Sequence, residues 1–307
     1  MFLDIIKTFS LFLQIKGKEM FYIVLSIICS VSVGALLKFS KRYSFDIVQV
    51  IAVNYLFALF LCYFTFNPDV SAIDSSSPWK IYIGLAILLP SVFLLLAASI
   101  KHIGIVKTDI AQRMSLFIPI LAAYFIFRED FSNLKLIGLV IGFPAIFLTL
   151  SKKNNTDSQE HKWIFPVLVL LGFGIIDILF KQIALQKNIP YTTSLFVVFC
   201  GALVLALCFS VYSIVIKKNK IRVQNLIIGA FLGILNFGNI LFYLKAHKEF
   251  AENPSTVFAA MNLGVIVLGS LVGIIAFKEK VSLKNYIGII LALASIVFIT
   301  LSQLQAS

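Results

Sequence analysis

The chain alternates between long apolar runs and short polar joints along most of its length. Ten runs are about as long as the roughly 20 apolar residues with which an α-helix crosses a hydrocarbon core. Strands of a membrane barrel would alternate apolar and polar residues, which these runs do not. The pattern therefore predicts ten transmembrane helices, at residues 20–37, 45–66, 81–99, 105–127, 134–150, 164–180, 193–216, 226–244, 256–277 and 283–301.

A short element occurs twice, 150 residues apart, each time between an apolar run and the next one. Both copies contain a phenylalanine, a basic residue and a glutamate, followed by a serine and a glycine: Phe127, Arg128, Glu129, Ser132 and Gly138, then Phe277, Lys278, Glu279, Ser282 and Gly288. A repeat in the same register relative to the apolar runs is typical of a duplicated membrane unit. The chain is therefore expected to consist of two related halves.

A polar linker at residues 151–162 divides the ten runs into five and five. Because each half has an odd number of spans, the second half must enter the membrane from the opposite face, so the repeat is inverted. The expected fold is an all-α integral membrane protein with ten transmembrane helices arranged as two inverted five-helix repeats, at residues 20–150 and 163–303. Residues 1–19 have apolar positions at helical spacing and are expected to form an amphipathic segment lying in the membrane interface.

The composition supports a membrane protein. The 307 residues are 60% hydrophobic and 13% charged, whereas soluble domains are about 45–50% apolar and about 25% charged. The net charge of +12 is spread over the joints, which indicates membrane-flanking lysines and arginines rather than a nucleic-acid surface. The cysteines have neither CxxC nor Cys/His spacing, so we expect no disulfide framework, metal site or cofactor.

Few ionisable side chains interrupt the apolar runs, and those that do are candidates for function because burying a charge in a bilayer is costly. Asp109 and Arg113 lie one helical turn apart in the fourth run, with Gln112 beside them. The pair could be a self-neutralised structural contact. Alternatively, Arg113 binds an anionic group of a substrate, while Asp109 orients Arg113 or carries a proton.

Asp177 in the sixth run is a second candidate for proton coupling, because desolvation favours the protonated form of a carboxylate. Lys181, one turn later and near the end of the run, is expected to extend to the membrane surface. The histidines His102 and His247 lie near the ends of predicted spans and are expected to be solvated. Glu129 and Glu279 are interpreted as structural caps or ion pairs.

Amide and hydroxyl side chains form a third group of candidates. Asn236, Asn239 and Tyr243 follow i, i+3, i+7 spacing in the eighth run, which places them on one stripe of a helix. Amides within a membrane either join helices or line a cavity, and three polar side chains on one stripe favour a substrate cavity. Asn262, at the 150-residue offset from Gln112, joins the candidates, although single amides such as Asn262 and Asn54 more often join helices to one another.

These features resemble the EamA-type transporters of the drug/metabolite transporter superfamily. The resemblance rests on the five-plus-five arrangement, on the repeated Phe-basic-Glu element and on Pro119, ten residues before Glu129. A proline that the family often has in the ninth helix, matching Pro119, is replaced here by Gly269. The resemblance implies a secondary carrier of small organic solutes with a central cavity between its halves, and neither catalysis nor ATP.

The sequence therefore predicts a secondary-active transporter or exporter of a small polar or zwitterionic metabolite, with a proton or ion as the candidate coupling partner. It is expected in the inner membrane of a bacterium, in contact with lipid and not with nucleic acid. Two other functions stay open: an intramembrane enzyme acting on a lipid-linked substrate, and a membrane scaffold or sensor without transport. The chain contains neither a Walker-type loop nor an HExxH motif, and three scattered histidines weigh against an enzyme.

Overall fold

The computed structural model describes residues 17–40, 45–103, 105–150, 164–278 and 282–306. These residues form α-helices and one short 3-10 helix, with no strand among them. Residues 1–16 of the predicted amphipathic segment and the whole linker at 151–162 lie outside the described residues. The helices are α1 (Gly17–Ser40), α2 (Ile47–Phe66), α3 (Trp79–Ile103), α4 (Ile105–Met114), α5 (Phe117–Phe125), α6 (Asn133–Leu150), α7 (Ile164–Ala184), α8 (Tyr191–Val215), α9 (Val223–Glu249), α10 (Pro254–Phe277) and α11 (Leu283–Ala306).

Within the described part of the chain, eight helices are long and apolar enough to cross a membrane. They are α1, α2, α3, α7, α8, α9, α10 and α11, and each covers most of a predicted span. The helix α6 is also apolar but shorter. The protein is therefore an all-helical, multi-pass integral membrane protein, as the sequence predicts.

The fourth predicted span is two helices rather than one. The helix α4 ends at Met114, and α5 begins at Phe117. Pro119 explains the break, because it has no N–H and its ring would collide with the carbonyl of Ser115, four residues earlier. Hydrogen bonds between residues three apart replace the helical bonds between residues four apart. The Leu116 N–H donates to the Arg113 carbonyl over 3.2 Å, and the Ser115 hydroxyl donates to the Gln112 carbonyl over 2.6 Å.

The described helices belong to two compact units, and each unit draws on both halves of the sequence. Unit 1 contains residues 17–31, 120–150 and 239–306, and unit 2 contains residues 32–119 and 164–238, apart from the gaps given above. The two five-helix segments drawn from the sequence, at 20–150 and 163–303, stay a prediction.

In unit 1, α6 packs mainly against α11, and α11 also packs against α10. Glycine permits the close approach of α6 and α11, since a Cβ atom on Gly138 would lie 2.7 Å from the Ile299 side chain. The Ser295 hydroxyl of α11 donates to the Gly138 carbonyl over 2.5 Å. Small residues of this kind let helices associate where lipid provides no hydrophobic force between them.

In unit 2, α2 packs against α8, and α3 packs against both α7 and α8. The helix α9 lies directly on α2, because a Cβ on Gly229 or Gly233 would approach within 3 Å of the α2 backbone carbonyls of Val50 and Asn54 respectively. Gly229 and Gly233, four residues apart, therefore permit the close packing of these two helices. Gly269 and Gly273 have the same spacing, but Gly269 is not at a close helix contact. A Cβ on Gly269 would meet only Val31, at 4.0 Å.

We expect Gly233→Ala to destabilise the protein by about 1–3 kcal/mol, because the added methyl group meets backbone, which cannot rotate away. Gly269→Ala is the matched control. Its methyl group has room, so the free energy of unfolding should stay the same or rise slightly. Equilibrium unfolding in detergent micelles measures both variants, and equal stability of the two would contradict the packing described for α2 and α9.

Candidate functional site

A group of ionisable side chains lies where α4 packs against the membrane-spanning helix α7, within unit 2. The helix α4 carries Asp109, Gln112 and Arg113, and α7 carries Asp177. Both carboxylates interact electrostatically with the Arg113 guanidinium. The spacing of Asp109 and Arg113 in sequence indicates their contact, and the fold adds Asp177 from another helix.

These four side chains are neither fully buried nor fully exposed. A guanidinium that faces two carboxylates can be held in place by one and still present N–H donors to a ligand, because it has five of them. Each of the four residues also remains partly exposed. The arrangement can therefore bind an anionic group at Arg113 and a cationic group or proton at a carboxylate.

Two glycines position α7 in this group. A Cβ on Gly172 would lie 2.5 Å from the Val92 side chain of α3, and one on Gly174 would lie 2.6 Å from the Ile118 side chain at the start of α5. Because neither glycine has a side chain, α7 lies close to both helices. Asp177 follows Gly174 by three residues, so this close approach occurs less than one turn from the carboxylate.

Lys181 corrects one expectation from the sequence. It was expected to extend to the membrane surface, but its side chain is fully buried. It follows Asp177 by one turn on α7, so the two lie on the same face of that helix. A buried cation beside a carboxylate reduces the net negative charge that Asp109 and Asp177 give this region.

Both halves of the sequence match one known protein family. A sequence profile described as the EamA-like transporter family matches residues 18–151 and again residues 162–301. The chain belongs to the EamA-like transporter family. Because the profile matches twice, the chain contains two EamA repeats. Members of this family are transporters.

This EamA-like chain is similar to an uncharacterized protein of Haemophilus influenzae. The two are 41% identical over 282 residues, which cover 89% of this chain and 95% of the relative. It also resembles a protein of known crystal structure with a TM-score of 0.70 and 11% sequence identity, over 92% of this chain and 98% of the other. At that identity the second likeness concerns the fold alone.

The other predicted site residues of the EamA-like chain fall in both units. Asn236 is buried in unit 2. Asn239 belongs to unit 1, where its side-chain and main-chain oxygens accept the Ser26 hydroxyl over 2.7 Å and 2.9 Å. Asn262 donates to the Phe258 carbonyl of its own helix over 3.0 Å. Asn239 and Asn262 therefore have structural contacts, and their substrate-binding role stays a prediction.

Tyr243 and His247 are buried together in unit 1. Their rings meet edge to face at 4.5 Å, and His247 also lies 4.7 Å from the Phe258 ring. The solvated position expected for His247 is wrong, because α9 continues to Glu249, past the predicted end of the span at residue 244. His102 is exposed, as expected, and stacks on Phe165.

The first copy of the repeated element forms a buried ion pair in unit 1. Glu129 pairs with Lys135 of α6 over 2.5 Å, rather than with its neighbour Arg128, which is exposed. The same carboxylate accepts the Ser255 N–H over 2.8 Å at the start of α10, where the helix dipole favours an anion. Lys135 also donates to Asn253 over 3.0 Å.

Lys135 and Lys181 are two lysines, among the residues that the structure describes, whose burial the sequence did not predict. Each lies close to one end of an apolar run, where lysine usually extends to the interface. The sequence feature that could have indicated their burial is a carboxylate a few residues away, Glu129 for Lys135 and Asp177 for Lys181. Such a signal is weak because ion pairs at the surface can have the same spacing in sequence.

Proposed function

We propose that the protein is a secondary-active transporter of a small polar or zwitterionic metabolite. In this proposal Arg113 binds the anionic group of the solute, Asp109 orients Arg113, and Asp177 carries the coupling proton or faces the cationic group of the solute. The observation that carries the proposal is the packing of α4, which holds Asp109 and Arg113, against α7, which holds Asp177. Both carboxylates interact with the guanidinium there. Charges are retained in apolar helices mainly where they serve a substrate or ion pathway.

The break between α4 and α5 supports the same site. Transporters commonly bind solutes at discontinuous helices, whose ends leave backbone groups unpaired by the helix itself. Arg113 lies in the last turn before this break, and Pro119 maintains it. A hinge so close to the binding residue would let solute binding and helix movement affect each other.

We further propose that transport proceeds by alternating access between two inverted five-helix repeats. Ten crossings would result if α4 and α5 together make one crossing and α6 makes another. The relative from Haemophilus influenzae supports placing the protein in a bacterial inner membrane.

Flux into proteoliposomes tests the proposal. Purified protein is reconstituted and offered radiolabelled amino acids, carboxylates, amines and uncharged solutes, with and without an imposed pH gradient. We expect at least one zwitterionic solute to enter in a protein-dependent, saturable manner, faster with the gradient than without it. If none of these solutes shows protein-dependent flux, the transport proposal is wrong, and an enzyme or a non-transporting scaffold becomes the better hypothesis.

Asp177→Asn separates proton coupling from binding. We expect this variant to lose acceleration by the pH gradient while it still exchanges labelled for unlabelled solute, because exchange needs no net proton movement. The matched control is Asp130→Asn, at an exposed position in the joint after α5, which should behave as the unmodified protein does. Normal gradient-driven uptake by Asp177→Asn would assign proton coupling to another group.

A further inference from the structure

Three buried polar side chains in unit 2 lack the hydrogen-bond partners that burial normally requires. They are Asn54 and Tyr55 of α2, both 0% exposed, and Asn236 of α9, which is 5% exposed. Among the residues that the structure describes, none pairs with the Asn54 amide nitrogen or oxygen, the Tyr55 hydroxyl or the Asn236 amide nitrogen. These three residues lie apart in sequence from the α4–α7 group with Arg113.

Such atoms destabilise a folded protein, and proteins therefore pair nearly all of them. The penalty is harder to avoid inside a bilayer, where no bulk water can satisfy the group. Leucine or phenylalanine at these positions would remove it. Several unpaired atoms on three buried side chains are therefore better explained by a ligand that pairs with them than by packing alone.

The three side chains lie at similar depth. The starts of α2 and α9 are joined by a hydrogen bond from the Asp46 N–H to the Asn225 side chain, over 3.1 Å. From there both helices run in the same direction, because Gly229 lies against Val50 and, one turn later, Gly233 lies against Asn54. At 1.5 Å per residue, Asn54 is about 12 Å and Asn236 about 16 Å from that end, near the middle of a core of roughly 30 Å.

Aromatic rings connect α2, α8 and α9 at this level. The Tyr55 ring lies 6.4 Å from that of Phe199 in α8, and the Phe199 ring lies 6.4 Å from that of Phe237, the residue after Asn236. Both ring pairs are tilted, at 45° and 54°, and all three rings are buried. The polar groups thus lie beside an aromatic cluster.

The three helix segments around these side chains contain no charged residue. The sequences of α2 and α8, and residues 223–238 of α9, contain no aspartate, glutamate, lysine, arginine or histidine. An ionised ligand would be buried here without a counter-charge, which is strongly unfavourable. A ligand of this region must therefore be uncharged, in contrast to a ligand of Arg113.

We propose that Asn54, Tyr55 and Asn236 form a binding site for a small uncharged molecule. The molecule would carry a carboxamide group on an aromatic ring. A carboxamide can donate to and accept from the Asn54 amide at once, since each partner has both kinds of group. The Tyr55 hydroxyl and the Asn236 amide nitrogen then bond the remaining polar atoms of the ligand. This site does not rest on the proposed transport function.

Benzamide is the probe, because it combines a carboxamide with a single ring. Its affinity is measured by calorimetric titration of the purified full chain in lipid nanodiscs, and protein stability is measured separately by thermal unfolding. Benzoate is the control for charge and toluene the control for the amide edge. We expect saturable benzamide binding, with benzoate and toluene binding at least tenfold more weakly.

Variants then test the residues. Asn54→Leu should weaken benzamide binding at least tenfold without lowering the unfolding temperature of the ligand-free protein, because it removes unpaired polar atoms. Tyr55→Phe should weaken binding less, and Tyr212→Phe, at an exposed tyrosine of α8, should leave it unchanged. The proposal is overturned if benzamide does not bind, if benzoate or toluene binds equally well, or if Asn54→Leu leaves the affinity unchanged. It is also overturned if Asn54→Leu and Tyr55→Phe lower the unfolding temperature by several degrees, which would indicate a structural role filled by ordered water.

Discussion

Lys135→Ala is expected to lower the free energy of unfolding by about 3–5 kcal/mol, the usual result of removing one partner of a buried ion pair. The substitution leaves the Glu129 carboxylate buried, with Ser255 as its remaining donor among the contacts described. It also removes the bond to Asn253. The start of α10 would then lose this hydrogen bond to α6. We expect a less stable protein in denaturant titrations in detergent micelles.

Two comparisons show whether the ion pair itself is responsible. The double variant Glu129→Gln with Lys135→Met removes both charges and should recover most of the lost stability, because no uncompensated charge remains. Lys284→Ala, at an exposed lysine near the start of α11, should change stability by less than about 0.5 kcal/mol. A double variant as unstable as Lys135→Ala would mean that packing, and not charge, explains the loss.

The helices could be read from the sequence, because the hydrophobic runs reflect the thickness of the membrane and need no knowledge of packing. The break in the fourth run was not predicted, although Pro119 was visible. Proline can bend a helix or interrupt it, and the outcome depends on whether nearby groups satisfy the freed carbonyls. Here the Ser115 hydroxyl does so for Gln112.

The candidate site was predictable only in part. Helical spacing was enough to pair Asp109 with Arg113, but the approach of Asp177 depends on Gly172 and Gly174, whose neighbours cannot be known before the fold. Asn54 was interpreted as a contact between helices, yet its amide has no partner among the described residues. A sequence indicates which side chains are polar, whereas hydrogen-bond satisfaction is a property of the packed structure.

The two copies of the repeated element hold helices by different chemistry. In the first copy Lys135 bonds Glu129 and Asn253. At the same offset the second copy has Asn285, whose amide donates to the last carbonyls of α6, those of Leu148 and Thr149. Glu279 of the second copy lies outside the described residues. The copies thus share a position in the chain but not a mechanism, and the candidate site follows the same rule, since Ala259 and Leu263 replace Asp109 and Arg113 at the 150-residue offset.

Arg113→Gln should abolish most transport of the solute found in the flux assay. Loss of a charge-assisted contact that the bound solute shields from water typically costs about 2–5 kcal/mol, so uptake at low solute concentration should fall at least about 30-fold. Arg113→Lys keeps the charge but not the paired N–H geometry, and it should retain intermediate activity. Arg128→Gln, at an exposed arginine, is the control and should transport normally.

The effect of Arg113→Gln on stability must be separated from its effect on solute binding. The substitution removes the cation that Asp109 and Asp177 share, so the two carboxylates repel each other. The double variant Arg113→Gln with Asp177→Asn lowers that repulsion, so we expect it to regain stability while solute uptake stays low. Thermal unfolding and flux, measured on the same preparations, distinguish the two effects. A stable double variant that transports at the normal rate would show that Arg113 is a structural residue, and the binding site would then have to be sought elsewhere in the chain.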